Sequence, residues 1–302
     1  MNSKLKFILK LLVSGIIILA ISRFLNGRDI IENLRMANPL WLVTAIVILP
    51  ISLFPRVLRF QLILNDKERV ISHKGAWEVT LVGSALNFII PGSLGDIARS
   101  YYGYIKFGKK EEMVSASILD KVIGMLVLFI LGFVPSLCYG YYLFASISLI
   151  GIVMFSFPLF LPQIFPWRAF AKVLNFMTKA SFDGSKLAAS FQIRSKTKSS
   201  ALLLSLAGWI VTVIYFLIIC LVFQVSVNLW YLFSIFPVVN LTYILPFTLK
   251  GLGTKEAVLI YLFSNLGINA DTSILISLAS TLVASVIPAL IGLFLILRLK
   301  HK

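Results

Sequence analysis

Charged side chains that interrupt apolar sequence are the groups best placed to do chemistry in this chain, and they fall in four places. Arg56 and Arg59, in "PRVLRF", stand one helical turn apart on one face. Asp96 and Arg99 follow two glycines, Gly92 and Gly95, in "PGSLGDIAR". Asp120 and Lys121 are adjacent at the start of a long apolar run, and Gly251 and Gly253 precede Lys255 and Glu256 in "LKGLGTKEA". In both glycine stretches the glycines permit tight turning, and a helix is expected to begin directly after them with Asp96 or Thr254 as its N-cap. A helix N-terminus whose free N–H groups stand beside Lys or Arg attracts anions, phosphate above all. Two such ends facing each other would suit a phosphorylated headgroup, and the carboxylates Asp96, Asp120 and Glu256 are candidates to carry a coupling proton.

Each of these residues also has a plainer reading. Arg56, Arg59 and Lys121 lie near the ends of apolar runs, where long basic side chains snorkel to the interface. Asp96 would then be a cap alone and Asp120 a salt-bridge partner alone, with Lys250 facing water. Glu78 either pairs with one of the arginines or faces the headgroups, and its sign makes it a poor phosphate ligand. Cys138 and Cys220 sit in apolar runs without paired spacing and read as packing residues. The two histidines, His73 in a polar loop and His301 in the tail, argue against a histidine-based metal or catalytic centre. No Gly-x-x-x-x-Gly-Lys-Ser/Thr stretch is present to bind ATP, and no cofactor is expected.

Composition sets the elements that must position these groups. Of 302 residues, 59% are hydrophobic and 13% charged, and mean hydropathy is +0.96; soluble domains carry roughly 25% charged residues. An all-α integral membrane bundle, a single domain over residues 1–302, follows. Apolar runs at Phe7–Phe24, Leu40–Leu64, Val114–Leu143, Ile147–Phe165, Ala201–Phe223 and Ile274–Leu297 each reach the ~17-residue minimum for a crossing. The first begins like a signal sequence, but no small-residue cleavage pattern follows, so it reads as a retained helix. Between these six spans lie two hinged regions, Ala76–Phe107 and Tyr231–Gly267, each broken at one of the glycine stretches. Pieces this short are expected as re-entrant helical hairpins, with two short full spans each, eight in all, as the alternative.

Charge distribution orients the bundle. With the N-terminus inside, the cytoplasmic side collects Lys4, Lys6 and Lys10, then Lys67, Arg69 and Lys74, then Lys106, Lys109 and Lys110. It also takes the basic linker at residues 166–200 and the C-terminal Arg298, Lys300 and Lys302, while only Arg23, Arg28 and Arg35 fall outside. Such a bias places both termini in the cytoplasm of a cell with a cytoplasmic (inner) membrane. It also accounts for much of the net charge of +16 through anionic lipid, with no nucleic acid partner. The linker's spaced Phe, Leu, Val and Met residues fit a cytoplasmic interfacial helix, and Trp41 and Trp167 fit an aromatic belt. The hinged regions enter from opposite sides, so the chain reads as two inverted halves, about 7–143 and 147–297, an arrangement that places transporter sites at the repeat interface.

The order "RVLRF", "NFIIPGSLGDIARSYY", Asp120-Lys121, "LPFTLKGLGTKEA" and "PALIG" resembles the lysylphosphatidylglycerol synthase transmembrane, or flippase-like, family, from about Ser52 to Gly292. That family includes the lipid-translocating region of the multiple peptide resistance factors and small stand-alone relatives linked to hopanoid or glycan-carrier lipids. Its first motif falls on Pro91, Gly92, Gly95, Asp96 and Arg99, and its second on Pro246, Gly251, Gly253 and Glu256. The family's usual Glu-Arg stands here as Asp120-Lys121, which keeps the charges and loses the guanidinium fork that grips phosphate bidentately. No aminoacyl-transferring domain is read after His301, so the resemblance implies the translocating module alone. Its substrate would be a lipid with an anionic headgroup, a phospholipid or a polyprenyl-phosphate carrier, moved between leaflets with a proton or other ion as coupling partner. A lipid-modifying enzyme using the same basic pocket and a membrane scaffold are the competing readings.

Overall fold

The structure is a computed structural model, described for residues 32–90, 94–178, 183–244, 248 and 251–300. The first predicted span, Phe7–Phe24, and the tip residues Pro91, Gly92, Pro246 and Lys250 lie outside the described residues. Among those described, the elements are helices throughout. Five are long and apolar enough to cross a membrane, matching the five remaining predicted spans. These are α1 (Pro39–Leu64), α4 (Lys110–Cys138), α5 (Tyr142–Phe160), α8 (Ser195–Val222) and the continuous helix Ala270–Arg298. The last is built from α11 (Ala270–Thr281), one π turn (Leu282–Val286) and α12 (Ile287–Lys300).

The hinged regions are antiparallel helix pairs. In the first, α2 (His73–Ile89) and α3 (Gly95–Phe107) are joined at their open ends by the Lys106–Glu78 ion pair. In the second, α9 (Leu229–Thr242) and α10 (Thr254–Ser264) are tied by the Tyr231 hydroxyl, which donates to the Leu262 carbonyl. The linker forms α6 (Trp167–Thr178) and a short α7 (Gly184–Ser190).

Local sequence explains where the helices begin. Asn38 accepts the N–H of Leu40 with Pro39 in the first turn of α1, Ser72 accepts that of Gly75 for α2, and Asn228 and Asn269 do the same for α9 and α11. Each cap satisfies an N–H group that helix geometry leaves orphaned. Some sequence expectations are corrected here. His73 opens α2 rather than sitting in a loop, Cys138 is exposed rather than packed, and Glu78 pairs with Lys106 rather than with an arginine. Trp167 is buried against Phe165 and Phe191, its indole N–H donating to the Pro162 carbonyl, and does not belong to an outer aromatic belt.

Helix α1 and helix α8 run antiparallel at the centre. Asp66 accepts from the Arg194 N–H at one end and Asn38 N–H donates to the Val222 carbonyl at the other. Around this pair, α4 packs on α9 and α12 packs on α2. Both contacts rest on a glycine: a Cβ on Gly132 would lie 2.2 Å from Pro237 Cγ, and one on Gly292 would lie 2.0 Å from the Leu81 carbonyl oxygen. Backbones this close exclude any side chain. Gly132→Val and Gly292→Val are each expected to lower the thermal unfolding midpoint in detergent, by the equivalent of about 1–3 kcal/mol. Gly208→Ala, whose new Cβ meets only Pro55 Cβ at 3.4 Å, should leave the midpoint within the equivalent of about 0.5 kcal/mol.

Candidate functional site

Helices α1, α3 and α4 bring six of the predicted residues together as two neighbouring ion-pair triads, which make up the charged network of the site. Asp96, in the first turn of α3, meets Arg56 Nη2 of α1 at 2.6 Å and Lys121 Nζ of α4 at 3.0 Å, and its Oδ1 accepts from Asn87 Nδ2 at 3.0 Å. Asp120 of α4 meets Arg59 Nε at 2.6 Å and Arg99 Nη2 at 2.8 Å. Two carboxylates are thus shared among four cations. Asp96 is not the cap of α3, whose N-cap is Leu94 without a side-chain bond; its carboxylate is committed to the network. Arg99 sits one turn along the same helix and pairs with Asp120 instead of Asp96. Nor do Arg56, Arg59 and Lys121 snorkel away, since each is held by a carboxylate.

The local sequence makes room for these groups. Arg99 is fully buried, its guanidinium 4.3 Å above the Phe60 ring and its stem against Gly83, where a Cβ would come within 2.7 Å of Arg99 Cδ. Gly124 leaves space for Arg59, whose nitrogens would lie 3.1 Å from an added Cβ. Gly95 lets α3 approach α2 so closely that a Cβ there would sit 2.3 Å from the Asn87 nitrogen. Gly95 therefore serves close helix contact.

This network forms one end of a cavity of about 290 Å³. Arg56, Arg59, Asp96, Asp120 and Lys121 line it together with Ser205, whose hydroxyl accepts from Arg59 Nη1 at 2.7 Å. Arg56 and Lys121 front the space with side chains 34% and 33% exposed, while Arg59 at 9% and Arg99 at 0% stand behind them. Along α1 the lining runs from Arg59 to Leu49, and along α8 from Ser205 to Phe216, about 15 Å at 1.5 Å per residue. The far end is bounded by apolar Leu49, Met125, Phe216 and Phe236 and by polar Tyr243 and Ser280. The cavity is therefore amphipathic along the helix axes.

Lys255 and Glu256 do not line that cavity. They form a second buried cluster that ties α10 to α11. Lys255 Nζ donates to the Ser277 carbonyl at 2.8 Å and to the hydroxyls of Ser280 and Thr281. Glu256 accepts from the Gly253 N–H and from Ser277 Oγ at 2.7 Å. Gly251 and Gly253 take the left-handed φ values of 75° and 86° that the turn into α10 requires. Gly253, not Thr254, is the N-cap; Thr254 Oγ1 donates to the Gly251 carbonyl at 3.0 Å. Ser280, on the cavity wall, lies two residues before the π turn whose Ala284 and Ser285 also reach the cavity. Residues missed in the sequence are Asn87, Ser205 and Trp209, whose indole donates to the Gly124 carbonyl at 2.7 Å. Asn87 stood inside the quoted first motif, whereas Ser205 and Trp209 lie in an unbroken apolar run that gives no signal.

A multi-pass helical membrane bundle with a shared ion-pair network walling an internal cavity is the class of protein that fold and site define. The chain matches the family model described as Lysylphosphatidylglycerol synthase TM region over residues 7–292 and belongs to that family. It is similar to UPF0104 membrane protein MJ1595 of Methanocaldococcus jannaschii, 24% identical over 97% of this chain and 94% of that relative. It is thus a membrane protein of a lipid-related family.

The network also makes a stability prediction. Removing Asp120 leaves Arg59 and Arg99 buried without a carboxylate, and breaking a buried pair from one side costs about 3–5 kcal/mol. Glu78, at the exposed Lys106 pair, stands in the weak regime of about 0–1 kcal/mol. Asp120→Asn should therefore unfold at a markedly lower temperature in detergent, with Glu78→Gln close to the parent.

Proposed function

We propose that this protein is a lipid translocase that moves a lipid with an anionic, phosphorylated headgroup, a phospholipid or a polyprenyl-phosphate carrier, between the leaflets of the cytoplasmic membrane. The single observation that carries this reading is the cavity: Arg56, Arg59 and Lys121 with two carboxylates at one end and Arg99 buried behind them, an apolar wall at the other, inside a bundle whose outer surface is hydrocarbon-facing. Headgroup and chain of an amphiphile find matching surroundings there at membrane depth, where charged groups are costly unless they serve a working interior. Arg56 and Lys121 meet the phosphate first, and Asp96 between them keeps both ordered when no headgroup is bound.

On this reading both termini are cytoplasmic, the α2–α3 and α9–α10 pairs are re-entrant hairpins, and the chain is two inverted halves around the α1–α8 pair. The reciprocal contacts support that reading: the last span of each half packs on the first hairpin helix of the other, α4 on α9 and α12 on α2. A second half that closes with Lys255 and Glu256 in neutral, fully buried company leaves the charge asymmetric. Coupling to a proton or other ion would then be carried by Asp96 and Asp120, the two carboxylates on the cavity.

The test is leaflet exchange of labelled lipids by the purified chain in liposomes, with and without a pH gradient. Arg56→Gln and Lys121→Gln are each expected to slow exchange at least about tenfold while keeping the parent's unfolding temperature, because both side chains front the cavity and neither is the sole partner of a buried group. Exchange at the parental rate in both folded variants would overturn the assignment of the headgroup site.

A further inference from the structure

Charge bookkeeping at this site selects among phosphorylated headgroups. The chain has twelve Asp and Glu side chains, and among the described residues only Asp96 and Asp120 reach the cavity. Elsewhere Glu68, Glu78 and Glu111 pair with Lys109, Lys106 and Lys186. Asp66 accepts from the Arg194 N–H, Asp183 caps α7, and Glu256 is bound within the Lys255 cluster. Glu32 and Glu112 are exposed and Asp271 lies in the first turn of α11; outside the described residues the sequence holds one acidic side chain, Asp29. Against Asp96 and Asp120 stand Arg56, Arg59, Arg99 and Lys121. Among the described residues the site therefore carries two positive charges in excess.

Two further observations say that this excess awaits a ligand. Arg99 is fully buried behind the cavity wall, and its Nε and Nη1 have no hydrogen-bond partner among the described residues, so its positive charge is only partly met where it stands. Arg56 meets Asp96 through a single nitrogen, and it and Lys121 keep a third of their side chains open to the cavity. Uncompensated charge in a low-dielectric interior is costly, and an anion of matching charge relieves it. A phosphate diester supplies one negative charge. A phosphate monoester supplies close to two above pH 7, with three acceptor oxygens to meet several donors at once.

We infer that the headgroup this site takes is a phosphate monoester, a dianion, in preference to a phosphate diester. The inference rests on the translocase reading for the lipid tail and names the substrate class within it. The same chemistry belongs to free phosphate, but the apolar far end, with Leu49, Met125 and Phe216, has no use for an ion without a chain.

The experiment titrates the full chain in detergent micelles at pH 8 with three probes: dioleoyl phosphatidate, dioleoyl phosphatidylmethanol and inorganic phosphate. Phosphatidate and phosphatidylmethanol share their chains and differ in one charge. Phosphatidate is expected to bind about tenfold or more tighter than phosphatidylmethanol, and inorganic phosphate more weakly than phosphatidate. In Lys121→Gln or Arg56→Gln the lipid preference should shrink to under about threefold, while Arg56→Lys, which keeps the charge, retains most of it. Equal affinity for the two lipids in the parent overturns the monoester assignment and leaves the translocase standing. Inorganic phosphate binding as tightly as phosphatidate overturns the lipid as ligand. Selective binding of phosphatidate without leaflet exchange in liposomes upholds the headgroup assignment and removes the translocase reading.

Discussion

Two buried carboxylates, Asp96 and Asp120, divide four cations between them, and the geometry of the first half follows from that sharing. Each carboxylate has a cation from α1 on one side, Arg56 or Arg59, and a cation from the hairpin or from α4 on the other, Lys121 or Arg99. Three helices are thereby tied at one level, and none can shift along its axis without separating the buried carboxylates Asp96 and Asp120 from their cations. Buried pairs contribute little net stability over apolar packing, because desolvation offsets their attraction. Their effect is to fix register and orientation. That is the property a site needs if a headgroup is to meet Arg56 and Lys121 in a set arrangement.

Such a network is tolerated only because neighbouring residues withdraw. Gly83 gives the Arg99 stem its channel, Gly124 leaves the Arg59 guanidinium its plane, and Gly95 brings α3 against α2 so that Asp96 falls between α1 and α4. Phe60 covers Arg99 from the face, where the ring's negative quadrupole favours a cation. Helix packing and site chemistry are then one problem: a side chain added at Gly83 or Gly124 moves a guanidinium, and a moved guanidinium opens the cavity wall. The larger frame rests on the same device, with Gly132 and Gly292 admitting Pro237 and Leu81 to backbone distance across the two outer contacts.

Composition and run length made the helical bundle and its long spans legible, since a bilayer admits few alternatives to apolar helices of about 20 residues. The six charged residues of the network were legible by type, because charge at membrane depth is rare enough to be noticed one residue at a time. Their partners were not. The fold pairs Arg99 with Asp120 and not with Asp96 of its own helix, and no local pattern encodes a contact between α3 and α4. Caps were misread for a related reason: Asp96 and Thr254 are good cap formers in isolation, but tertiary charges claimed Asp96, and the left-handed turn at Gly253 placed the boundary one residue earlier. Ser205 and Trp209 carried no signal because a polar residue within an apolar run announces itself only through what it faces.

The two glycine stretches read alike in sequence and differ in what they hold. In the first, ionised partners face a cavity and keep part of their surface open. In the second, Lys255 is 2% exposed and Glu256 4%, the ammonium met by a carbonyl and two hydroxyls and the carboxylate by Gly253 and Ser277. Here each charged group is satisfied by neutral donors or acceptors through charge-assisted hydrogen bonds, where the first cluster satisfies charge with charge. The second cluster sits against Ser280 and the π turn, a deformation that accommodates an extra residue in the helix and recurs at functional sites. Opposite the charged end, the molecule thus presents a wall held by hydrogen bonds to one buried lysine and one buried glutamate. The cavity therefore has one end held by ion pairs among α1, α3 and α4 and the other bounded by a hydrogen-bonded cluster that joins α10 to α11.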